Sequence, residues 1–349
     1  MKTPADGRAD GSEDEPGAES SSPILQVCGL TVEYETEAGV AVVVDDVSLT
    51  LERGKTLGLV GESGSGKTVT SLSILGLIGP PAGRITSGSI WFDGRDLRTI
   101  PRPELREVRG REIAVIFQEP RRSLDPSFKV GAQIAEVARR HLKLSRQDAW
   151  ARAIETLDLV RIPNAGKRAH EYPHTFSGGM CQRVMLAMAL VSNPRVLIAD
   201  EPTTALDVTV QAQVLELLRE LQAQRGLSVL FITHDLSVVA EMSDRVAVMY
   251  AGHVVEEAPV RELFRHPRHP YTEGLLRSLP HTQQNARRLG AIPGVVPTAL
   301  NWPPGCRFSP RCAYAEDKCA STLPKLADVG GAHVARCVRC EELHLEGVT

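Results

Sequence analysis

A glycine-rich segment at residues 61–68 constrains the fold of this 349-residue chain more than any other feature. Its letters, GESGSGKT, follow the pattern of a glycine, four variable residues, a second glycine, a lysine and a hydroxyl residue. An apolar run at 57–60 precedes the segment as a buried strand would, and 69–78 has the pattern of a helix. A loop in that context directs several backbone N–H groups into one hollow, beside the positive end of a helix. The segment therefore predicts a binding site for a triphosphate.

Two side chains of this loop have predicted roles in holding the triphosphate. Lys67 would reach the β- and γ-phosphates, and the Thr68 hydroxyl would bind Mg²⁺. A glycine-rich turn with a chance lysine is the alternative, and it is disfavoured because both flanking segments fit. The predicted phosphate-site residues are Gly61, Ser63, Gly64, Ser65, Gly66, Lys67 and Thr68.

Three further apolar runs end in polar residues, as strands of an open α/β sheet do at their ligand-binding edge. Gln118 follows the first run and is a candidate contact for Mg²⁺ or water. Asp200 and Glu201 follow the second, where Asp200 could hold Mg²⁺ through its waters and Glu201 could polarise an attacking water. His234 follows the third run. Because the carboxyl ends of such strands meet at one edge, we expect these side chains to lie beside the phosphate loop.

A second helix start, at Ser177-Gly178-Gly179, has the features of an anion site. Ser177 is a good N-cap, and the two glycines leave the first N–H groups of the helix uncovered. An ordinary helix cap is the alternative for these residues in isolation.

Composition and charge exclude several classes of protein. The formal net charge of −3 gives no bulk positive charge for binding nucleic acid. No apolar run is long enough for a membrane span, and the N-terminus lacks a basic-then-apolar signal, so we expect neither a membrane-spanning nor an exported protein. Residues 1–23 hold six acidic residues and few apolar ones, which predicts a disordered acidic tail.

Together these motifs resemble the ATP-binding cassette (ABC) family, whose ATPase subunits drive membrane transporters. The resemblance covers residues 24–265, and its motifs occur in the family's order. They are the phosphate loop, Gln118, the signature at 177–180, the acidic strand at 196–201, Ala205-Leu206-Asp207 and His234.

The resemblance implies that two such subunits pair head to tail and bury two ATP molecules. Each ATP would lie between the phosphate loop of one subunit and the signature of the other, so Ser177, Gly178 and Gly179 would contact the partner's nucleotide. Asp207 would lie in the loop that crosses between subunits, and Tyr34 would stack on adenine. From the residues alone, a tyrosine in an ordinary hairpin is the simpler interpretation of Tyr34.

The resemblance also implies the catalytic set and the Mg²⁺ ligands. Glu201, His234 and Gln118 would act in hydrolysis, and Thr68, Gln118 and Asp200 would hold Mg²⁺.

Cys181 departs from the family, because this branch usually carries an arginine there. We expect a neutral side chain near the partner's γ-phosphate. The helix start should lower the pKa of this thiol and raise its reactivity if the thiol is exposed.

The last third of the chain resembles the C-terminal extension of oligopeptide and dipeptide permease ATPases, which some nickel and other small-solute importers share. Its cysteine spacing is not that of a zinc ribbon. Four thiolates can hold a [4Fe–4S] cluster, and relatives carry one in this extension. Zn²⁺ on the same ligands is the alternative. The predicted ligands are Cys306, Cys312, Cys319 and Cys337, with Cys340 as a spare.

We therefore expect an α/β fold: a P-loop NTPase core of the ABC ATPase type with an antiparallel β subdomain, a helical subdomain and a small cysteine-rich C-terminal domain. The expected boundaries are 1–23 for the tail, 24–265 for the ATPase domain with its helical subdomain at about 121–190, and 266–349 for the extension.

The expected function is ATP hydrolysis in a bacterial-type importer of di- or oligopeptides. The chain would lie on the cytoplasmic face of the membrane, peripherally, with a second ABC ATPase subunit, two integral permease subunits and, indirectly, an extracytoplasmic solute-binding protein. An importer of nickel or another small solute is one alternative. A soluble ABC ATPase of DNA repair or translation is another, disfavoured because the interval between Gln118 and Ser177 has no heptad run. A non-catalytic nucleotide binder is disfavoured by four intact residues: Lys67, Asp200, Glu201 and His234.

Overall fold

The computed structural model describes residues 22–80, 83–119, 123–204, 206–279 and 292–348. The predicted acidic tail lies almost entirely outside the described residues, and so does Ala205.

The described part of the chain alternates strands and helices in the order expected of an α/β protein. The strands are β1 Pro23–Thr36, β2 Gly39–Glu52, β3 Thr56–Val60, β4 Gly83–Phe92, β5 Arg95–Asp96, β6 Ile113–Ile116, β7 Val196–Asp200, β8 Ser228–Thr233, β9 Arg245–Tyr250, β10 His253–Pro259, β11 Ala327–Gly330 and β12 His333–Ala335. The helices are α1 Lys67–Ile74, α2 Arg102–Arg111, α3 Val130–Leu142, α4 Arg146–Leu159, α5 Ala165–Arg168, α6 Gly178–Leu190, α7 Val208–Arg225, α8 Leu236–Met242, α9 Val260–Arg265, α10 Pro270–Arg277 and α11 Asp317–Ser321.

An eight-stranded sheet with the order β11-β12-β10-β9-β3-β8-β7-β6 forms the centre of the protein. Its five strands from β9 to β6 run parallel, which brings their carboxyl ends to one edge. Side chains of β7 alternate between two cores: Leu197 and Ala199 face the helical lobe, whereas Val196 and Ile198 face the antiparallel sheet. Burial on both faces explains why these strands are continuous apolar runs.

A four-stranded antiparallel sheet, β2-β1-β4-β5, covers one of those cores. Its β4–β5 turn, Asp93-Gly94, has positive φ at both residues, the conformation that a two-residue hairpin favours. The predicted antiparallel subdomain and its Asp-Gly turn are both present.

Helices α3 to α6 form the helical lobe on the other face of the large sheet. Ser145 caps α4 by accepting a hydrogen bond from the Asp148 N–H, and Ser177 caps α6 by accepting one from the Met180 N–H. Both residues satisfy N–H groups that a helix start otherwise leaves without a partner.

The expected small cysteine-rich C-terminal domain is not supported as a separate unit. Strands β11 and β12 extend the large sheet beyond β10. The fully buried Glu256 of β10 binds His333 of β12 (Oε1–Nε2 2.7 Å) and accepts hydrogen bonds from the N–H groups of Arg268 and His269. A buried carboxylate is stable only when it is paired in this way, so the extension is tied into the ATPase core.

Within the described residues, no helix combines the length and the apolar character needed to cross a bilayer.

Candidate nucleotide-binding site

The phosphate loop follows β3 and opens α1, as the sequence predicts. Gly61 has φ +154°, and a Cβ there would lie 2.0 Å from the carbonyl oxygen of Met249, so only glycine fits against the neighbouring strand. Gly66 has φ +103° directly before α1, a conformation that other residues rarely adopt. These two glycines let the loop turn sharply between the strand and the helix.

Lys67 is buried and directed into the loop. Its ammonium donates hydrogen bonds to the carbonyl oxygens of Gly61 (2.7 Å) and Glu62 (3.0 Å). Burial lowers the pKa of Lys67, whereas the charges of Glu201, Asp200 and Glu62 oppose that shift. The ammonium therefore lies where it can bind a phosphate oxygen.

Asp200 lies beside Thr68, as a shared Mg²⁺ site requires. The Asp200 carboxylate is 4% exposed. Burial raises the pKa of Asp200, and the neighbouring Thr68 hydroxyl and the charge of Lys67 oppose that shift. A hydroxyl and a buried carboxylate are oxygen donors of the kind that Mg²⁺ prefers.

The carboxylate of Glu201 contacts both of the other predicted catalytic residues, Gln118 and His234. One carboxylate oxygen, Oε2, accepts hydrogen bonds from Gln118 Nε2 (2.7 Å) and Thr204 Oγ1 (2.9 Å). The other oxygen, Oε1, is 3.2 Å from His234 Nδ1. Glu201 also has a positive φ of 49°, an unfavourable conformation for this residue type, which the surrounding contacts maintain. Three separate chain segments thus hold one carboxylate at the sheet edge.

Thr204 was not identified from the sequence. It lies three residues beyond Glu201 in a turn, and its hydroxyl donates to the carboxylate. A pair of threonines, Thr203 and Thr204, follows the acids after Pro202 and was the available signal, but only the turn geometry shows which hydroxyl reaches Glu201.

The second helix start lies apart from the phosphate loop within this chain. Helix α6 packs in the core of the helical lobe, whereas α1 packs in the core under the antiparallel sheet. A Cβ on Gly179 would lie 2.4 Å from Val210 Cγ1, so the glycine permits close approach of α7. Asp207 caps α7 by accepting a hydrogen bond from the Val210 N–H (2.9 Å).

Tyr34 lies near the end of β1, opposite Ala41 and Gly83. Its half-buried ring packs against Gly83, and burial raises the pKa of the phenol. Its predicted stacking on adenine stays a prediction.

Four of the C-terminal cysteines converge, although they are up to 31 positions apart. Cys306, Cys312, Cys319 and Cys337 line one small cavity, and Cys340 does not. Burial raises the pKa of Cys306, that of Cys312 to about 11 and that of Cys337 to about 12. Among the described residues, however, no three His, Cys, Asp or Glu side chains are arranged to hold a single metal ion.

Cys181 lies inside the helical lobe, whereas the sequence predicts a position near the partner's γ-phosphate. The residue is 1% exposed, and its Sγ is directed at the carbonyl oxygens of Pro173 (3.7 Å) and Phe176 (4.0 Å) inside the helical lobe. The exposure on which the expected reactivity of this thiol depends is not present, because α6 turns the residue inward.

Comparisons with known proteins agree with this geometry. A family model described as ABC transporter matches residues 44–204, and one described as the C-terminal region of oligopeptide/dipeptide transporters matches residues 255–319. A protein of Brucella melitensis with the provisional name peptide import ATP-binding protein is 49% identical over 93% of this chain and 99% of its own length. A protein of Brucella abortus with the same kind of name is 50% identical over 91% of this chain and 95% of its own length.

Solved structures show the same fold. The ATP-binding cassette MJ0796, in a dimeric post-hydrolysis state bound to ADP and Pi, matches with a TM-score of 0.61 and 26% identity, covering 68% of this chain and 99% of that one. The protein cbiO1 of Clostridium perfringens, part of the ABC transporter complex cbiONQ, matches with a TM-score of 0.59 and 28% identity over 69% of this chain and 90% of that one.

The burial of Cys181 predicts a low reactivity toward alkylating reagents. Exposed Cys28 serves as the internal comparison, because reagents reach it without any opening of the structure. We expect iodoacetamide to label Cys28 at least ten times faster than Cys181, with or without ATP, since labelling of Cys181 requires local unfolding. Peptide mapping by mass spectrometry separates the two sites. Fast labelling of Cys181 that ATP suppresses would instead place the thiol at a nucleotide-dependent surface.

Proposed function

This chain belongs to the ABC transporter ATP-binding family, and we propose that it is the ATP-hydrolysing subunit of an importer of di- or oligopeptides. The convergence of Gln118, Thr204 and His234 on Glu201, beside Lys67, carries the ATPase part of the proposal. The match of residues 255–319 to the oligopeptide/dipeptide region supports the peptide substrate. The same match disfavours the alternatives in DNA repair and translation, whereas import of nickel or another small solute is kept as the second candidate function.

In the proposed mechanism, the loop N–H groups and Lys67 bind the β- and γ-phosphates of ATP. Thr68 and Asp200 would hold Mg²⁺, and the ion would supply positive charge beside the phosphates. Glu201 accepts a hydrogen bond from the attacking water and orients it in line with the γ-phosphate. Gln118 and His234 keep the Glu201 carboxylate in place, and His234 can also contact the γ-phosphate. Hydrolysis of this type depends chiefly on positioning and charge stabilisation.

We propose that a second ABC ATPase subunit, identical or paralogous, completes each site. The signature residues Ser177, Gly178 and Gly179 belong to a different core from the phosphate loop, so within one chain they leave the nucleotide open on one side. The dimeric state of the related cassette MJ0796 supports this arrangement. Asp207, at the start of α7, would then border the partner.

A groove on the helical lobe is the proposed docking site for a permease subunit. It encloses about 860 Å³ and is lined by two aromatic side chains, three cations and one carboxylate: Phe128, Trp150, Lys129, Arg139, Arg146 and Glu136. Phe128 is 58% exposed, which is unusual for a large apolar residue. A short cytoplasmic helix with apolar and acidic residues fits this lining. The chain reaches the groove soon after β6, whose end carries Gln118, so docking can influence the catalytic edge. This docking would place the chain peripherally on the cytoplasmic face of the membrane.

We also propose that Cys306, Cys312, Cys319 and Cys337 hold a [4Fe–4S] cluster. Four soft donors converge on one cavity, and a thiol with a raised pKa there becomes a thiolate only if positive charge compensates it. A cluster distributes its four ligands over several irons, so it does not require the close convergence of donors on one ion. Zn²⁺ does require that convergence, which the described residues do not offer as they stand.

The Glu201→Gln variant tests the ATPase assignment. We expect it to keep ATP affinity and to lose hydrolysis by on the order of 10²-fold or more, because the carboxylate acts mainly in the transition state. Peptide uptake by the assembled transporter should fall in parallel. Lys67→Ala is the contrasting variant, since it should weaken ATP binding itself. A Glu201→Gln protein that hydrolyses ATP at the parental rate would remove Glu201 from the mechanism.

The Phe128→Ala variant tests the docking groove. We expect association with the permease subunits, measured by co-purification, to weaken on the order of tenfold, as truncation of an interface anchor does. Nucleotide binding by the isolated chain should be unchanged. Leu323→Ala removes a similarly exposed apolar side chain outside the groove and serves as the control. Parental association of Phe128→Ala with the permease would exclude this groove as the contact.

Iron content tests the cysteine site. The full chain purified without oxygen should be brown and contain about four iron atoms per chain. Cys306→Ser should abolish the visible absorbance, whereas Cys340→Ser should retain it, since Cys340 does not line the cavity. Colourless parental protein with stoichiometric zinc would refute the cluster.

A further inference from the structure

The phosphate loop is held from outside by the C-terminal part of the chain, at Glu62. Arg311 binds the Glu62 carboxylate through two nitrogens, Nη1 to Oε2 at 2.6 Å and Nη2 to Oε1 at 3.0 Å. The Glu62 N–H donates to the hydroxyl of Tyr271 at 2.9 Å, and its carbonyl oxygen accepts from Lys67. Every polar group of this loop residue is therefore occupied, two of them by residues more than 200 positions away.

Arg311 is itself fixed in place. Its side chain is 4% exposed, its Nε donates to the carbonyl oxygen of Pro293 at 2.9 Å, and its Nη1 is 3.4 Å from the hydroxyl of Tyr250. Tyr250 ends β9, and β9 pairs directly with β3, the strand that leads into the phosphate loop. The guanidinium thus connects the loop to the sheet edge as well as to the extension.

Tyr271 is equally immobile. It is fully buried, and its ring lies 4.6 Å from that of Tyr250 and 5.4 Å from that of Phe308, measured between centroids. Aromatic rings packed at these distances in a core leave few alternative rotamers. The Tyr271 hydroxyl, which accepts the hydrogen bond from the Glu62 N–H, therefore has a defined position.

We propose that Arg311 is a positioning residue for the phosphate loop, and that the C-terminal extension sets nucleotide affinity through the Arg311–Glu62 ion pair. The proposal rests on the proposed function, in which the loop binds ATP. A loop with glycines at 61, 64 and 66 loses much conformational entropy when it closes on phosphate. Holding Glu62 before the nucleotide arrives reduces that loss, because less of the loop remains to be ordered on binding.

The geometry also connects the loop to the cysteine cavity. Arg311 lies between Cys306 and Cys312, and both line that cavity. A displacement of this segment would move the guanidinium and, through it, Glu62. The extension therefore acts on the nucleotide site without touching the nucleotide.

The test is a double-mutant cycle on the full chain, with the dissociation constant of a non-hydrolysable ATP analogue as the readout. We expect Arg311→Gln and Glu62→Gln each to weaken binding on the order of tenfold, the equivalent of one charge-assisted hydrogen bond. The double variant should be no weaker than either single one, because both changes remove the same interaction. In the assembled transporter, KM for ATP should rise while kcat at saturating ATP is retained.

Arg336→Gln is the matched control. Arg336 is as deeply buried, lies in the same extension and pairs with Asp46, but its described partners lie outside the phosphate loop. We expect this variant to bind the analogue with parental affinity. If Arg336→Gln lost as much affinity for the analogue as Arg311→Gln, the effect would follow from removing any buried charge. That result would overturn the proposal.

Two further results would also overturn it. One is parental affinity in folded Arg311→Gln; the other is a double variant whose loss is the sum of the two single losses. If Arg311→Gln does not fold, Arg311→Lys decides the question, since it keeps the positive charge but cannot contact both Glu62 oxygens as the guanidinium does. A parental chain that binds no nucleotide at all would refute the proposed function instead, which keeps the two failures distinct.

Discussion

The rest of this structure depends on the parallel pairing of four neighbouring strands, β3, β8, β7 and β6. Their register places their carboxyl ends at almost the same position along the sheet. Val60 of β3 pairs with Thr233 of β8, and Ile232 of β8 pairs with Asp200 of β7. Each strand therefore ends within about one residue of its neighbour. The phosphate loop, Glu201 and His234 begin where the strands end, so the register itself brings them together. A shift by one residue would reverse which face each side chain occupies and dismantle the site.

The strain at Glu201 fits this account. Its positive φ is unfavourable for a residue with a Cβ, and it is maintained by contacts from Gln118, Thr204 and His234, which come from three different segments. Such a carboxylate is held in position before any substrate arrives, as efficient positioning of a water molecule requires. The Glu201 side chain is only 16% exposed and both of its carboxylate oxygens have partners, so little reorganisation of this carboxylate is needed during the reaction.

The C-terminal extension belongs to the same physical unit as the ATPase core. Glu256, buried in β10, accepts hydrogen bonds from two backbone N–H groups and pairs with His333. Strand β12 continues the large sheet beyond β10. Arg311 then joins the extension to the phosphate loop. An element that shares both a sheet and an ion pair with the nucleotide site cannot move independently of it. This gives the extension a physical route to influence ATP binding in addition to the cysteine cavity that it contains.

The sequence by itself determined the phosphate loop, the polar ends of the buried strands and the family, because each depends on local pattern. Gly61, Lys67 and Thr68 are recognisable from eight consecutive letters, and the apolar runs before Asp200 and His234 show where the strands end. Tertiary structure alone decided that Cys181 faces inward and that Thr204 reaches Glu201. It also decided the pairing of Arg311 with Glu62, 249 positions apart. The physical reason is that such contacts depend on how whole elements pack, and local periodicity carries no information about which distant side chain will lie opposite.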